Sequence, residues 1–487
     1  IIFLKRSFYG WKISIMKFRN LILSLALVLG VFSVSASNSD FSKEYKISVK
    51  AKQLKADSLF LGFYYCGKLY VQDTLSLDKN GRGVFTDDKK LNEGTYVMYF
   101  QGSKYFDMLI GGDQEFTVEI GDTLSLPESV KISGAIVSED FHNYSLSLKS
   151  AQIKYNKLSE QIKQTEDSVM KADIQKEASE ISKSVNSLRD SLINVHSGDM
   201  LGLFLNGLKA PEYVPDPSLA DSLKPMGRYL FEKEHYLDNL DITDARIIRT
   251  PYIISSLDGY INNKLFQISD SIIPPVIKLV ERSMANEECF KVVLNHCMNY
   301  AINSKIMGME NLMVELGRRY YLNGLTEWSD STWLKNLEEE IYKNERSLVG
   351  MKAANIVLAD VNNNYDRLYN IGGTKVTILY FYEPSCGHCR KTMPKVGEFA
   401  KKYANDPRIK VVAVYMLEDK EEWTKFIQEA DLSALVNVWD PNRESYYWYY
   451  FNTSTTPMVY VMDENHKIFA KKIDVDTLYL IAENELK

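Results

Sequence analysis

The segment FYEPSCGHCRKTMPKV, residues 381–396, holds two of the chain's five cysteines, Cys386 and Cys389, separated by Gly387 and His388. Thiols at this spacing can exchange disulfides, supply half of a metal site, or lie as neighbours in a core. A zinc site needs two further soft ligands at matching spacing. None is near: His466 and the other three cysteines, Cys66, Cys289 and Cys297, are distant and belong to unrelated patterns. No metal and no cofactor is expected.

The redox alternative has a mechanism. TKVTILYFY, residues 374–382, is a continuous apolar run suited to a buried central strand. CRKTMPKVGEFAKKYAND then reads as a helix opening directly from the pair. At its first turn Cys386 faces unsatisfied backbone N–H groups and the positive end of the helix dipole, which stabilise a thiolate. Cys389, one turn further in, is placed to resolve a mixed disulfide by attacking it. His388, when cationic, favours the thiolate further. A peroxide-reducing site of the peroxiredoxin kind is disfavoured, because it needs a threonine three residues before its cysteine and Glu383 stands there.

From Gly350 onward strands and helices alternate. IKVVAVYML is a second buried strand and DKEEWTKFIQEADL a helix. STTPMVYVMDENHKIFAKKI gives two strands around a DENH turn, before a last helix. Residues 347–487 thus form an α/β domain whose chemistry belongs at the carboxyl ends of its strands.

Two other regions precede it. Residues 42–135 alternate short apolar runs with Gly, Asn and Asp turns, and predict a small antiparallel β-domain, a sandwich or partial barrel. Residues 136–346 read as helical. Phe141, Tyr144, Leu148, Ala151, Tyr155, Leu158 and Ile162 recur at steps of three and four, and so do Ile174, Ala178, Ile181, Val185, Leu188, Leu192 and Val195. The phase breaks near TEDSVMKA, which favours a helical hairpin, with dimerisation through 136–196 as the competing use. Cys289 and Cys297 are eight residues apart in one helical stretch, roughly 12 Å of rise, too far for a disulfide. They and Cys66 are expected to be buried apolar thiols, and His142, His235 and His296 ordinary isolated histidines.

The N-terminus suggests export. Met16-Lys17-Phe18-Arg19 is a basic head, and residues 21–34 form an apolar run of 14, short of the roughly 20 that span a bilayer. Val34 and Ala36 suit a signal peptidase, so residues 1–36 are expected to be a leader starting at Met16, with no stable membrane insertion after cleavage. A net charge of −6 without any Lys/Arg block gives no reason to expect nucleic acid.

FYEPSCGHCRKTMP resembles the active site of the thioredoxin superfamily, with the CGHC centre seen in protein disulfide isomerase. Phe381, Tyr382 and Pro384 match the family's lead-in, Pro394 its helix-kinking proline, and Thr456-Pro457 its cis-proline substrate-docking edge. The insertion after the second strand is similar to exported TlpA-like, AhpC–TSA-type reductases. The whole arrangement resembles multidomain proteins of Gram-negative anaerobes. The resemblance implies a periplasmic thiol–disulfide oxidoreductase of the cell envelope, reductase or isomerase. Its partners would be protein thiols and disulfides and a membrane or periplasmic redox protein. Ser385 and Tyr380 depart from the family, which usually has tryptophan and a buried acid there. Glu383 is the candidate replacement proton acceptor. The competing reading is a redox-poor thioredoxin-fold binding or scaffold protein of the envelope.

Overall fold

The computed structural model describes residues 44–54, 58–100, 104–218 and 220–487. The expected leader lies outside them. The chain packs into two compact units. One gathers the described residues up to Leu265 with Val280–Val293, and the other Phe266–Leu279 with Leu294–Lys487. The helical stretch 136–346 is therefore shared between them.

In the first unit eight strands form two four-stranded sheets. They are β1 (Tyr45–Lys50), β2 (Ser58–Tyr65), β3 (Lys68–Ser76), β4 (Arg82–Asp87), β5 (Gly94–Phe100), β6 (Lys104–Ile110), β7 (Glu115–Ile120) and β8 (Val130–Ser133). The orders are β4-β1-β7-β8 and β3-β2-β5-β6. Ile47 and Val49 from one sheet and Leu59, Leu61 and Met98 from the other enter a common core. One pairing corrects the antiparallel expectation: β1 and β7 run parallel, from Lys46 opposite Glu115 to Lys50 opposite Glu119. The two strands are far apart in sequence, so no tight turn forces antiparallel pairing. The register also sets Lys46 2.9 Å from Glu115 and Lys50 2.8 Å from Glu119. Cys66 and Gly67, at φ 50° and 70°, form the two-residue turn between β2 and β3.

The helices Ile136–Gln164 and Ser168–Val195 lie against one another as a hairpin. The phase break is their turn, where the Asp167 carboxylate accepts from the Val169 and Met170 N–H groups and starts the second helix. All five cysteines are free thiols. Cys289 and Cys297, on helix Glu287–Asn303, are fully buried, and Cys66 is half-buried. None of the described helices is long and apolar enough to cross a membrane.

The second unit carries a seven-stranded sheet built from β9 (Val357–Ala359), β10 (Tyr365–Arg367), β11 (Val376–Tyr382), β12 (Ile409–Tyr415), β13 (Val436–Trp439), β14 (Met458–Met462) and β15 (Ile468–Lys471). Its order is β10-β9-β13-β12-β11-β14-β15. The central three strands are parallel, and β14 runs antiparallel to β11. Every residue of β11 is buried, because both faces are covered. Ile378, Tyr380 and Tyr382 meet Met393, Val396 and Phe399 of helix Gly387–Lys402 and Leu478 of helix Val475–Glu485. Leu379 and Phe381 meet Leu368, Tyr447 and Phe451 on the opposite face. Each such side chain contributes about 1.5–3 kcal/mol relative to exposure. This two-sided burial makes β11 a rigid base for whatever follows Tyr382.

Candidate active site

Two features of the sheet assemble the site. Strand β11 ends at Tyr382, and four residues later helix Gly387–Lys402 begins, with Cys386 as its N-cap. Strand β14 runs the other way, and its first residue Met458 pairs with Phe381. The antiparallel register therefore sets Thr456-Pro457, whose peptide bond is cis, beside the turn that carries the cysteines. Cys386 Sγ lies 3.4 Å from the Thr456 carbonyl oxygen, the contact a thiol S–H makes.

The two sulfurs differ in environment. Cys386 is half-buried and Cys389 fully buried. The Cys386 side chain makes no short capping bond to its helix. The first-turn N–H of Cys389 nonetheless favours its thiolate most, with the Thr456 side chain, the His388 N–H and the Cys389 thiol adding to it against a smaller penalty from burial, so its pKa falls to about 7. Burial acts the other way at Cys389, pushing its thiol up to about 11, with the neighbouring Cys386 charge in the same direction and the Glu383 main chain opposing. At neutral pH the outer sulfur is a substantial thiolate and the inner one a thiol. That is the asymmetry a nucleophile and a resolving group need.

The remaining expected residues fall as follows. His388 is exposed, and what it presents to Cys386 is its backbone N–H. Gly387 is exposed, with nothing within 4 Å of where a Cβ would stand, so packing does not demand glycine there. Glu383 is half-buried; its carbonyl accepts from the Cys386 N–H at 3.1 Å, while its carboxylate charge is felt by Tyr447. Tyr380 is buried, and burial raises its hydroxyl to about 12. Its oxygen lies 2.9 Å from Thr392 Oγ1, which also donates to the His388 carbonyl at 3.0 Å. Arg390 Nε donates to the Pro384 carbonyl at 2.5 Å and ties the turn to the helix. Thr392 and Arg390 are contributors the sequence did not single out, since neither residue type signals a thiol site by itself. Among the described residues no group of three or more His, Cys, Asp or Glu side chains is placed to hold a metal ion.

Residues 373–468 match a protein family described as thioredoxin-like. No curated protein matches the chain. Among solved structures, a thioredoxin-like protein from Bacteroides caccae is 17% identical, over 56% of this chain and 97% of that one, with a TM-score of 0.42. A domain of a possible thiol-disulfide isomerase from Cytophaga hutchinsonii is 32% identical over 28% of this chain and 95% of its own, with a TM-score of 0.26. The thioredoxin domain of a thiol-disulfide oxidoreductase from Bacteroides vulgatus is 22% identical over 28% and 98%, with a TM-score of 0.27. The segment that holds β11, both cysteines and the Thr456-Pro457 edge is thus a thioredoxin-like domain within a longer chain.

Proposed function

We propose that the protein is an exported thiol–disulfide oxidoreductase acting on protein disulfides through Cys386 and Cys389. The observation that carries this reading is the placement of the two sulfurs: Cys386 is the N-cap of its helix with Sγ 3.4 Å from the Thr456 carbonyl, and Cys389 is fully buried one turn further in. In the reducing direction the Cys386 thiolate attacks one sulfur of a substrate disulfide. That S–S bond breaks, a mixed disulfide forms, and the first substrate thiolate leaves and takes a proton. Cys389 then gives up its proton and attacks the Cys386 sulfur. The second substrate thiolate departs, and the two electrons now in the substrate thiols leave a Cys386–Cys389 disulfide behind. The reverse sequence oxidises a dithiol. Glu383 is the carboxylate we assign to accept the Cys389 proton, and Thr456-Pro457 the backbone edge that receives the substrate chain. Export rests on the leader-like residues 16–36.

Cys389→Ser should accumulate mixed disulfides with substrates on non-reducing gels, because attack proceeds and resolution does not. Cys386→Ser should trap nothing and exchange nothing. Trapping by the Cys386 variant alone would reverse the roles. If both variants keep wild-type exchange, the pair is not the site and a binding role takes its place.

A further inference from the structure

Past β13 the chain reads ESYYWYYFN, residues 444–452, and its side chains divide by face. Tyr447 and Phe451 turn inward onto Phe381 of β11, with ring centroids 5.4 and 5.5 Å away. Tyr446, Trp448, Tyr449 and Tyr450 remain between 37% and 59% exposed. With Tyr342, on helix Ser331–Asn344, they wall a pocket of about 340 Å³. We infer that this pocket takes an aromatic or large aliphatic side chain of the polypeptide whose disulfide Cys386 attacks. The inference rests on the exchange reading above and names its substrate class.

Three observations support that occupant. The first is continuity with the thiol site. Phe381, on which the loop is anchored, pairs with Met458, the residue after Pro457. Pocket and docking edge are therefore mounted on the same buried strand. Tyr450 precedes Thr456 by six residues, a reach of at most about 20 Å. A substrate laid on the edge therefore covers that gap with at most about six residues. The second is rigidity: Asn452 Nδ2 donates to Asn344 Oδ1 at 3.0 Å, a buried bond that fastens the loop to the end of the helix bearing Tyr342. The Asp440 carboxylate fixes the start of the loop by accepting from the Ser445 N–H at 3.0 Å and its hydroxyl at 2.6 Å. A preformed pocket loses little freedom on binding.

The third is charge. Among the described residues no carboxylate lines the pocket. Three of the five rings already carry the protein's own guanidiniums. Arg346 sits 4.3 Å from the Tyr342 ring and 4.1 Å from Tyr449, and Arg443 4.8 Å from Trp448. Those charges are partly matched by Glu345 at 3.2 Å and Glu418 at 3.7 Å. An uncharged, ring-sized apolar group is what remains complementary, and exposed Tyr, Trp and Arg are the residues that dominate protein interfaces.

The test uses the reduced full chain in single turnovers with two disulfide-linked peptides, identical except for Trp or Ser five residues from the cystine. A small aromatic disulfide, dithiobis(nitrobenzoate), is the third substrate. Wild type should reduce the Trp peptide at least tenfold faster, in second-order rate constant, than the Ser peptide. Trp448→Ala and Tyr342→Ala, on separate elements, should each remove that preference while leaving the rate with the small disulfide within twofold. Equal rates on both peptides in wild type, or a preference that survives both substitutions, overturns the pocket assignment alone. Failure with all three disulfides overturns the exchange reading and this inference with it. Saturable binding of a cello-oligosaccharide at the pocket, without any peptide preference, would also overturn it.

Discussion

The Tyr380 hydroxyl stands 2.9 Å from Thr392 Oγ1, directly beneath the turn of helix that carries Cys389. The buried acid that the thioredoxin resemblance implies here is thus replaced by a group that burial holds at about 12. It cannot accept a proton at neutral pH, so its contribution is one buried hydrogen bond. Tyr380→Phe should lower stability by about 1 kcal/mol, the ordinary worth of such a bond. Exchange rates should stay within twofold. A tenfold fall in rate, with the melting temperature unchanged, would show that the hydroxyl takes part in proton transfer.

Cys386 should titrate near pH 7. Its folded pKa lies below the thiol's ordinary value, through the first-turn N–H of Cys389 before any other cause. Alkylation of the reduced protein by iodoacetamide should rise through a midpoint near pH 7, tracked by thiolate absorbance. A depressed pKa stabilises the reduced fold fully above the unfolded thiol value of about 8.5. That contribution is lost as pH falls through about 7. A midpoint above pH 8.5 would remove the basis for calling Cys386 the nucleophile.

His388 separates amide from charge. The residue reaches Cys386 through its N–H, while its imidazole is exposed. Proline lacks that N–H. His388→Pro should therefore raise the Cys386 pKa and make the reduction potential more negative, by about 30 mV for each pKa unit in a two-electron couple. His388→Ala keeps the N–H and should shift the potential by less. Equilibration against glutathione measures both. If the two variants shift equally, the imidazolium is the tuning element.

The cysteine turn of the candidate site was legible in the sequence because its strand, cysteine pair and helix are contiguous. A buried strand, a cysteine pair and a helix follow one another within residues 374–402, and the runs read as β11 and its helix match the observed bounds closely. Within the expected β-domain of residues 42–135, strand β7 shows the alternation plainly, since Glu115–Ile120 alternates without interruption. Strand β6 does not, because Asp107 interrupts its apolar run, and the short β9, β10 and β13 carry too few residues for a periodic signal. The β1–β7 pairing and the pocket wall at Tyr342 come from residues remote in the chain. Local patterns hold no information about such meetings.

Glu383 is the only carboxylate in residues 381–396, and its main chain touches both cysteines. Cys389, at about 11, needs a proton acceptor to resolve the mixed disulfide at neutral pH. Glu383→Gln should slow resolution by about tenfold, the low end for general base catalysis. The initial attack by Cys386 should change less than twofold. Stopped-flow release of the second thiol from a pre-formed mixed disulfide reads the step. An unchanged rate would assign the proton to the departing substrate thiolate instead.

His196, in the first unit, carries a pH switch in stability. The ring is buried between two carboxylates, Nδ1 at 2.6 Å from Asp199 and Nε2 at 3.0 Å from Asp140. Burial alone would lower its pKa, but the hydrogen bonds and charges of Asp199 and Asp140 outweigh it and raise the value. Asp199 also caps helix Met200–Gly207, accepting from the Leu201 N–H at 2.8 Å, so the ring links that helix to the hairpin helix bearing Asp140. A raised histidine pKa stabilises the fold fully below the unfolded value of about 6.5, and the contribution is lost as pH rises through the folded value. The urea midpoint of the wild type should therefore fall between pH 6 and pH 9. His196→Gln should be destabilised by about 1.5–3 kcal/mol at pH 6, the worth of a charge-assisted bond. It should also show a flatter pH profile over the same window. Parallel profiles for the two proteins would mean that His196 stays neutral in the fold and the two carboxylates do not hold its proton.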